Sequence, residues 1–203
     1  VIPFLYQRLP LMEEMMAAGG PIMVPLVLLS MVMWTLIIHR TLYFRRLYRK
    51  NMPRKTAAAC IRENHRPDPT QYRGAVAMLV NEFMNRRSGS PDTDRQILDE
   101  TVIILVSALS RHLTLIGVLA RVAPLLGLLG TVFGMIATFD IISVFGTGNV
   151  RGMAGGISQA LITTQTGLLV AIPGLYMHHF LTRRAENLKH RIAAVGMFLH
   201  RSI

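Results

Sequence analysis

Seven side chains bearing a hydroxyl or an amide, Thr131, Ser158, Gln159, Thr163, Thr164, Gln165 and Thr166, interrupt two long runs of the chain that hold no formal charge. A helical threonine can satisfy its hydroxyl on the carbonyl one turn earlier, so each threonine alone fits a structural role. Gln159 and Gln165 do so less readily, and the group as a whole points to a polar path through apolar surroundings or to an embedded polar partner. Ionisation limits what such a path can do. Hydroxyls and amides carry no proton charge at neutral pH, so moving protons past them requires a carboxyl or an imidazole. The one acid beside these runs is Asp140, which either sits at an interface, pairing with Arg151 or a lipid headgroup, or marks a point of proton entry. His39, His178 and His179 lie at the run boundaries, where an imidazole assists proton transfer or simply snorkels to water.

The segments around these residues leave little room for other chemistry. There is no nucleophile with a base and orienter, no phosphate loop and no paired Cys/His spacing, and Cys60 is the single cysteine. The chain is therefore not expected to be an enzyme, and it calls for no cofactor and no metal. No stacking aromatics are interleaved with the basic residues, so nucleic acid is not an expected partner. A small-solute carrier would need an inverted repeat or a paired charged site, and neither is present.

Small residues recur at helical spacing through the same runs. Ala123, Gly127, Gly130 or Thr131, Gly134 and Thr138 follow one another at intervals of three or four. So do Gly156, Ala160, Thr164, Gly167, Ala171 and Gly174. Such a stripe lets two membrane helices approach until their backbones touch, gaining van der Waals contact that lipid does not supply. Gly127, Gly130, Gly134, Gly156, Ala160, Gly167 and Ala171 are accordingly assigned to helix packing.

The elements that position these side chains follow from charge segregation. Of 203 residues 51% are hydrophobic and 16% charged, yet the formal charge is +11; a soluble domain would carry about a quarter charged residues, and a basic disordered tail would be poor in apolar ones. Three uncharged runs resolve the conflict: 15–38, 122–139 and 152–182. The 18 residues of the second reach roughly 27 Å as helix, against a hydrocarbon core of about 30 Å. Glu13 and Glu14 precede the first run where a signal peptide would be basic, so that run is expected to remain as an anchor.

Nineteen of the 22 Lys and Arg residues fall in 39–112 or from Arg183 onward, which places both segments in the cytoplasm and the N-terminus outside by the positive-inside rule. Arg45, Arg46 and Arg49 belong to a juxtamembrane cluster that serves as this topology signal or binds anionic lipid headgroups. Ile2, Leu5, Leu9, Met12 and Met16 have the spacing of a short helix on the outer surface. Pro25 threatens a kink in the first span. From Asp94 to Pro124 no proline occurs, and the apolar period predicts one long helix that begins in the cytoplasm and continues into the membrane. The stripe Leu188, Ile192, Val195 and Leu199 likewise extends the third span into a tail helix, and each extension needs a neighbour to cover it.

The expected protein is all-α, an integral membrane protein with three transmembrane helices, the second and third extended into a cytoplasmic helical bundle. Its divisions are an outward-facing amphipathic segment (1–18), a first span (19–39), a cytoplasmic helical region (40–112), a second span (113–145), an outward connector (146–154), a third span (155–180) and a cytoplasmic tail helix (181–203).

The runs APLLGLLGTVFGMIATF, 123–139, and GGISQALITTQTGLLVAIPG, 155–174, resemble the signature of the ExbB/TolQ/MotA proton-channel family. Three spans with a large basic loop after the first are similar to its ExbB and TolQ branches, and the GGP start and TLIIHRTLYFRR finish of the first span look more like ExbB. The resemblance implies a bacterial inner-membrane motor subunit, a homo-oligomer that is a pentamer in the family, surrounding an ExbD- or TolR-like single-span partner whose membrane aspartate carries protons. It implies a TonB-like energiser for outer-membrane transport, or, on the TolQ branch, envelope maintenance. Thr131 and Thr164 match the family's pore-facing threonines, with Gln159 and Thr163 alongside; many relatives carry Glu where Gln159 stands. The competing expectation is a passive membrane scaffold whose small-residue faces only pack.

Overall fold

A computed structural model describes residues 19–48, 52–68 and 71–201. The amphipathic segment expected at 1–18 and Arg49 lie outside the described residues. Six helices occur among the described residues: α1 (Met23–Tyr48), α2 (Arg54–Arg62), α3 (Ala75–Arg86), α4 (Pro91–Ser110), α5 (Leu113–Phe145) and α6 (Val150–His200). No strand occurs among the described residues, and three helical stretches, those carrying α1, α5 and α6, are long and apolar enough to cross a membrane. The chain is an all-α, multi-pass membrane protein.

Two compact units divide the described residues, one formed by 19–36 with 115–178, the other by those of 37–114 with 179–201. In the first, α1 enters from a turn in which Gly20 takes φ +69°, a left-handed conformation that favours glycine. The amide of Met23 donates to Gly20 O at 3.1 Å, and α1 begins there. Pro25 therefore falls in the first helical turn, where its missing N–H belongs to the set that has no intrahelical acceptor in any case. Pro124 and Pro173 are interior to α5 and α6, and both helices continue through them. Large apolar side chains such as Leu125, Leu128, Phe139, Leu161, Leu169 and Ile172 point away from the unit and are exposed, as suits surfaces that meet lipid or other chains.

The second unit gathers the end of α1, the helices α2 to α4 and the end of α6 around an apolar core. Phe44, Met52, Leu79, Phe83, Leu98, Leu109, Leu181 and Leu188 are among its fully buried side chains. Leu188, Ile192, Val195 and Leu199, the stripe that α6 could not cover by itself, are each 0–1% exposed. The cover comes from within the chain: Val102 on α4, for example, packs where a side chain at Gly196 would stand. On α4 the buried stripe is Leu98, Thr101, Leu105 and Leu109, while Ile103 and Ile104 face outward.

The continuous helix expected from Asp94 into the membrane is interrupted. Helix α4 stops at Ser110 and α5 starts at Leu113, with His112 at φ +68° between them. Arg40, buried to 5% exposure on α1, occupies the end so created. Its guanidinium donates to Ala108 O at 2.6 Å and to Leu109 O, two carbonyls of the last turn of α4. The same group lies over the rings of Tyr43 and Phe44, 4.8 and 5.0 Å from their centroids. A cation at the negative end of a helix, bonded to carbonyls that lack amide partners, stabilises the break on both counts. No Gly or Pro marks the position in the sequence; histidine is one of the few other residues that tolerates left-handed backbone.

The turn into α4 is organised by a carboxylate. Asp94, 1% exposed, accepts through Oδ1 from Ser88 N (2.8 Å), Ser88 Oγ (3.2 Å) and Gly89 N (3.2 Å), and through Oδ2 from Arg87 Nε (3.0 Å). Arg87 Nη1 continues to Ile61 O at the end of α2. Burial alone would push this carboxyl up, but the four donors from Ser88, Arg87 and Gly89 outweigh it and hold the group below its usual value. A depressed folded pKa contributes stability that is present above the unfolded value of about 4 and is lost as pH falls through the folded one. Asp94→Asn should therefore lower the melting stability of this unit at pH 7 by about 3 kcal/mol. It should also flatten the acid limb of the wild-type curve below about pH 4, read by thermal melts in detergent from pH 2.5 to 7.

Candidate functional site

Thr138, Thr163 and Thr164 sit along one seam, where α5 and α6 run side by side with almost no side chain between them, whereas Ser158 and Gln165 are exposed and Thr166 donates its hydroxyl to Ile162 O at 2.8 Å on its own helix. At Gly127 an added Cβ would stand 3.2 Å from Thr164 Cα and 3.3 Å from Gly167 Cα. At Gly167 it would stand 2.9 Å from Ala123 O, and at Gly134 2.6 Å from Gly156 O and 2.7 Å from Ala160 Cβ. Gly130 opens directly onto the Thr163 side chain, and Gly156 onto the hydroxyl of Thr138. Ala123, Ala160 and Ala171 are buried in the same unit. Rising residue numbers on α5 meet falling numbers on α6, the antiparallel pairing that a short connector after Phe145 imposes.

This close approach sets what each threonine does. Thr164 Oγ1 lies 3.2 Å from Gly127 O on the facing helix and 3.2 Å from Ala160 O on its own. In a regular helix Gly127 O is also the acceptor for the amide of Thr131, four residues on. One carbonyl thus lies between the two threonines. Thr131, half-buried, donates its hydroxyl to Leu128 O at 2.6 Å. Both hydroxyl protons are held by backbone, which leaves oxygen lone pairs free to accept from a further donor.

The remaining sequence candidates are placed differently. Thr163, considered for a polar path, is 0% exposed. It packs under Gly130 with its hydroxyl within reach of Gln159 O (3.0 Å) and Ala160 O (2.9 Å), so its surface is covered inside the chain. Gln159 turns its amide onto Gly20, against the turn that starts α1, rather than onto the threonine pair. Asp140 is exposed at the end of α5; among the described residues it forms no ion pair with Arg151, and Ser143 Oγ donates to its backbone carbonyl at 2.8 Å. Arg45 and Arg46 are exposed in the last turn of α1.

Two placements had no sequence signal strong enough to single them out. Arg40, counted there with the basic cluster, is the buried cap of α4; the aromatic residues Tyr43 and Phe44, three and four positions on, are the hint that it would fold inward. His178, which the sequence would let snorkel to water, instead lays its ring against Gly117 of α5, with Nε2 2.8 Å from where a Cβ would stand. Its neighbour His179 is the exposed one. No group of three or more His, Cys, Asp or Glu able to hold a metal occurs among the described residues.

Comparison with known proteins adds an independent line. Residues 69–194 match a family model described as the MotA/TolQ/ExbB proton channel family. A putative biopolymer transport protein, ExbB-like 1, of Synechocystis is 31% identical over 201 residues, covering 95% of this chain and 79% of the relative. The biopolymer transport protein ExbB of Salmonella typhimurium is 27% identical over 189 residues, 86% of this chain and 77% of its own. That of Aquifex aeolicus is 41% identical over 112 residues, 55% and 72% of the two chains.

The seam itself is open to a direct measurement. Gly134→Val forces a side chain into the backbone of Gly156, whereas Gly155→Val meets nothing within 4 Å. The first should lower the thermal midpoint of the purified protein by several degrees and the second should leave it within about one.

Proposed function

Because the chain belongs to the MotA/TolQ/ExbB proton channel family, we propose that it is an ExbB-like subunit of a proton-driven motor in a bacterial inner membrane. Copies of the chain surround a single-span partner of the ExbD or TolR type, and the assembly energises a TonB-type outer-membrane transport system. The N-terminus lies on the periplasmic side and the basic helical unit in the cytoplasm, in keeping with the position of the Lys and Arg residues. ExbB is favoured over TolQ by the relatives, which are named as biopolymer transport proteins of the ExbB kind.

The observation that carries this proposal is a pair of threonine hydroxyls held on adjacent carbonyls of α5, Thr164 on Gly127 O and Thr131 on Leu128 O, along a seam that holds no acid of its own. A carboxyl group supplied by the partner would meet these two oxygens in either protonation state. When the acid is protonated, its O–H donates to a threonine oxygen whose own proton stays on the backbone. When it ionises, a threonine hydroxyl rotates away from Leu128 O or Gly127 O and donates to the carboxylate, at a cost of about 1 kcal/mol for the backbone bond released. A charge-assisted bond of roughly 1.5–3 kcal/mol offsets that cost. The site thus stabilises a carboxyl that must change charge within a bilayer, without fixing it in one state. Asp140, exposed at the end of α5, is on this reading the candidate for the outer entry of the path.

Thr131→Val and Thr164→Val keep the shape and remove the hydroxyl. In proteoliposomes holding the chain and its single-span partner, each should reduce partner-dependent proton flux at least about tenfold while the oligomer still purifies intact. Wild-type flux from both variants together would assign the seam to passive packing and leave a scaffold as the function.

A further inference from the structure

Five titratable side chains fall in the described part of the unit built from 19–36 and 115–178: Arg121, Asp140, Arg151, Tyr176 and His178. Only the imidazole among them has an ordinary pKa near neutrality. Its position is defined by close approach. An added Cβ at Gly117 would stand 2.8 Å from His178 Nε2 and 3.1 Å from Cδ2 and from Cε1, so the ring lies on the bare backbone of α5 and is half-buried there. A histidine that served only to reach water would have no need of a facing glycine.

The register of this contact repeats that of the threonine pair. Gly117 precedes Thr131 on α5 by 14 residues, and His178 follows Thr164 on α6 by 14. At about 100° per residue, 14 residues return to within roughly 40° of the same face, and they advance about 21 Å along the axis. The imidazole therefore lies along the same seam as the threonines, toward the end opposite the connector at 146–149. Within this unit α1 meets α6 one turn earlier, where Met33 packs against Gly174, and residues 23–36 of α1 contain no titratable group. On α5 the nearest charged side chain to the contact is Arg121, one turn from Gly117 and exposed; on α6 the flanking groups are Tyr176 and His179, both exposed.

We propose that His178 is a proton-transfer residue at the mouth of the seam remote from the connector. It takes a proton at one ring nitrogen from the path and releases one from the other to water, or the reverse, so that each passage returns the imidazole to its starting form with its tautomer exchanged. Reorientation of the ring against Gly117 restores the first tautomer. The contact with Gly117 keeps the ring on the path; an alanine there would push it off without changing its chemistry. The inference rests on the proposed proton-conducting function.

The test uses the full chain reconstituted with its single-span partner, with proton flux followed from pH 5.5 to 8.5. His178→Gln keeps polarity and removes ionisation; it should lower flux at pH 7 at least about tenfold and alter the pH dependence of the flux. Gly117→Ala should lower flux with the pH dependence retained. His178→Ala should be slow as well, and free imidazole added to the bath should restore part of its flux, a readout that a packing defect would not produce. A wild-type rate and pH profile in His178→Gln, or loss of flux in His178→Ala that imidazole leaves unchanged, would overturn the assignment. Absence of partner-dependent flux in the wild type would instead remove the proposed function, and this inference with it.

Discussion

Backbone contact between α5 and α6 is the constraint on which the membrane unit depends. Between lipid tails there is little hydrophobic gain in bringing two helices together, so association rests on van der Waals contact and on hydrogen bonds across the interface. Glycine at 127, 134, 156 and 167 brings the backbones within reach of both. With side chains there the helices would stand further apart, and the bond from Thr164 to Gly127 O, already 3.2 Å long, would open. Packing and polar chemistry are in this sense one feature: the absence of Cβ atoms is what places a hydroxyl of one helix on a carbonyl of the other.

A hydroxyl held by the backbone is also a particular kind of polar group. It neither ionises nor requires a permanent partner, and it changes from acceptor to donor by a rotation. For a path through which charge passes without staying, that property is more useful than a fixed carboxylate, whose charge would be costly to keep in the bilayer. Thr163 illustrates the contrast. It is of the same residue type and one position from Thr164, yet it is enclosed beneath Gly130, because a 100° step around α6 turns it from the edge of the seam to its centre.

The second unit is built by ordinary soluble physics: an apolar core, a buried carboxylate with four donors and an arginine capping a helix end. Asp94 and Arg40 have opposite charges but play the same part, each satisfying backbone groups that a helix boundary leaves without partners. The basic residues that make the chain so positive are mostly exposed or half-exposed where they are described, and among the described residues Arg40 is the one drawn inside.

Residue types and their spacing were enough to identify three apolar spans, the small-residue faces of two of them, the stripe that extends α6 and the resemblance to a proton-channel family. These are properties of one helix at a time, and period and composition report them directly. The tertiary structure alone decided which atoms those faces meet. Periodicity states that Gln159, Thr163 and His178 each lie on some side of α6; it does not state that the first turns to Gly20, the second to Gly130 and the third to Gly117. The break at His112 was hidden for a related reason. Helical propensity varies little from Ser110 to Leu113, and the guanidinium that stabilises the helix end comes from Arg40, about 70 residues away in sequence. What one helix offers is written in its own period, but what it is offered to depends on distances that only the packed chain sets.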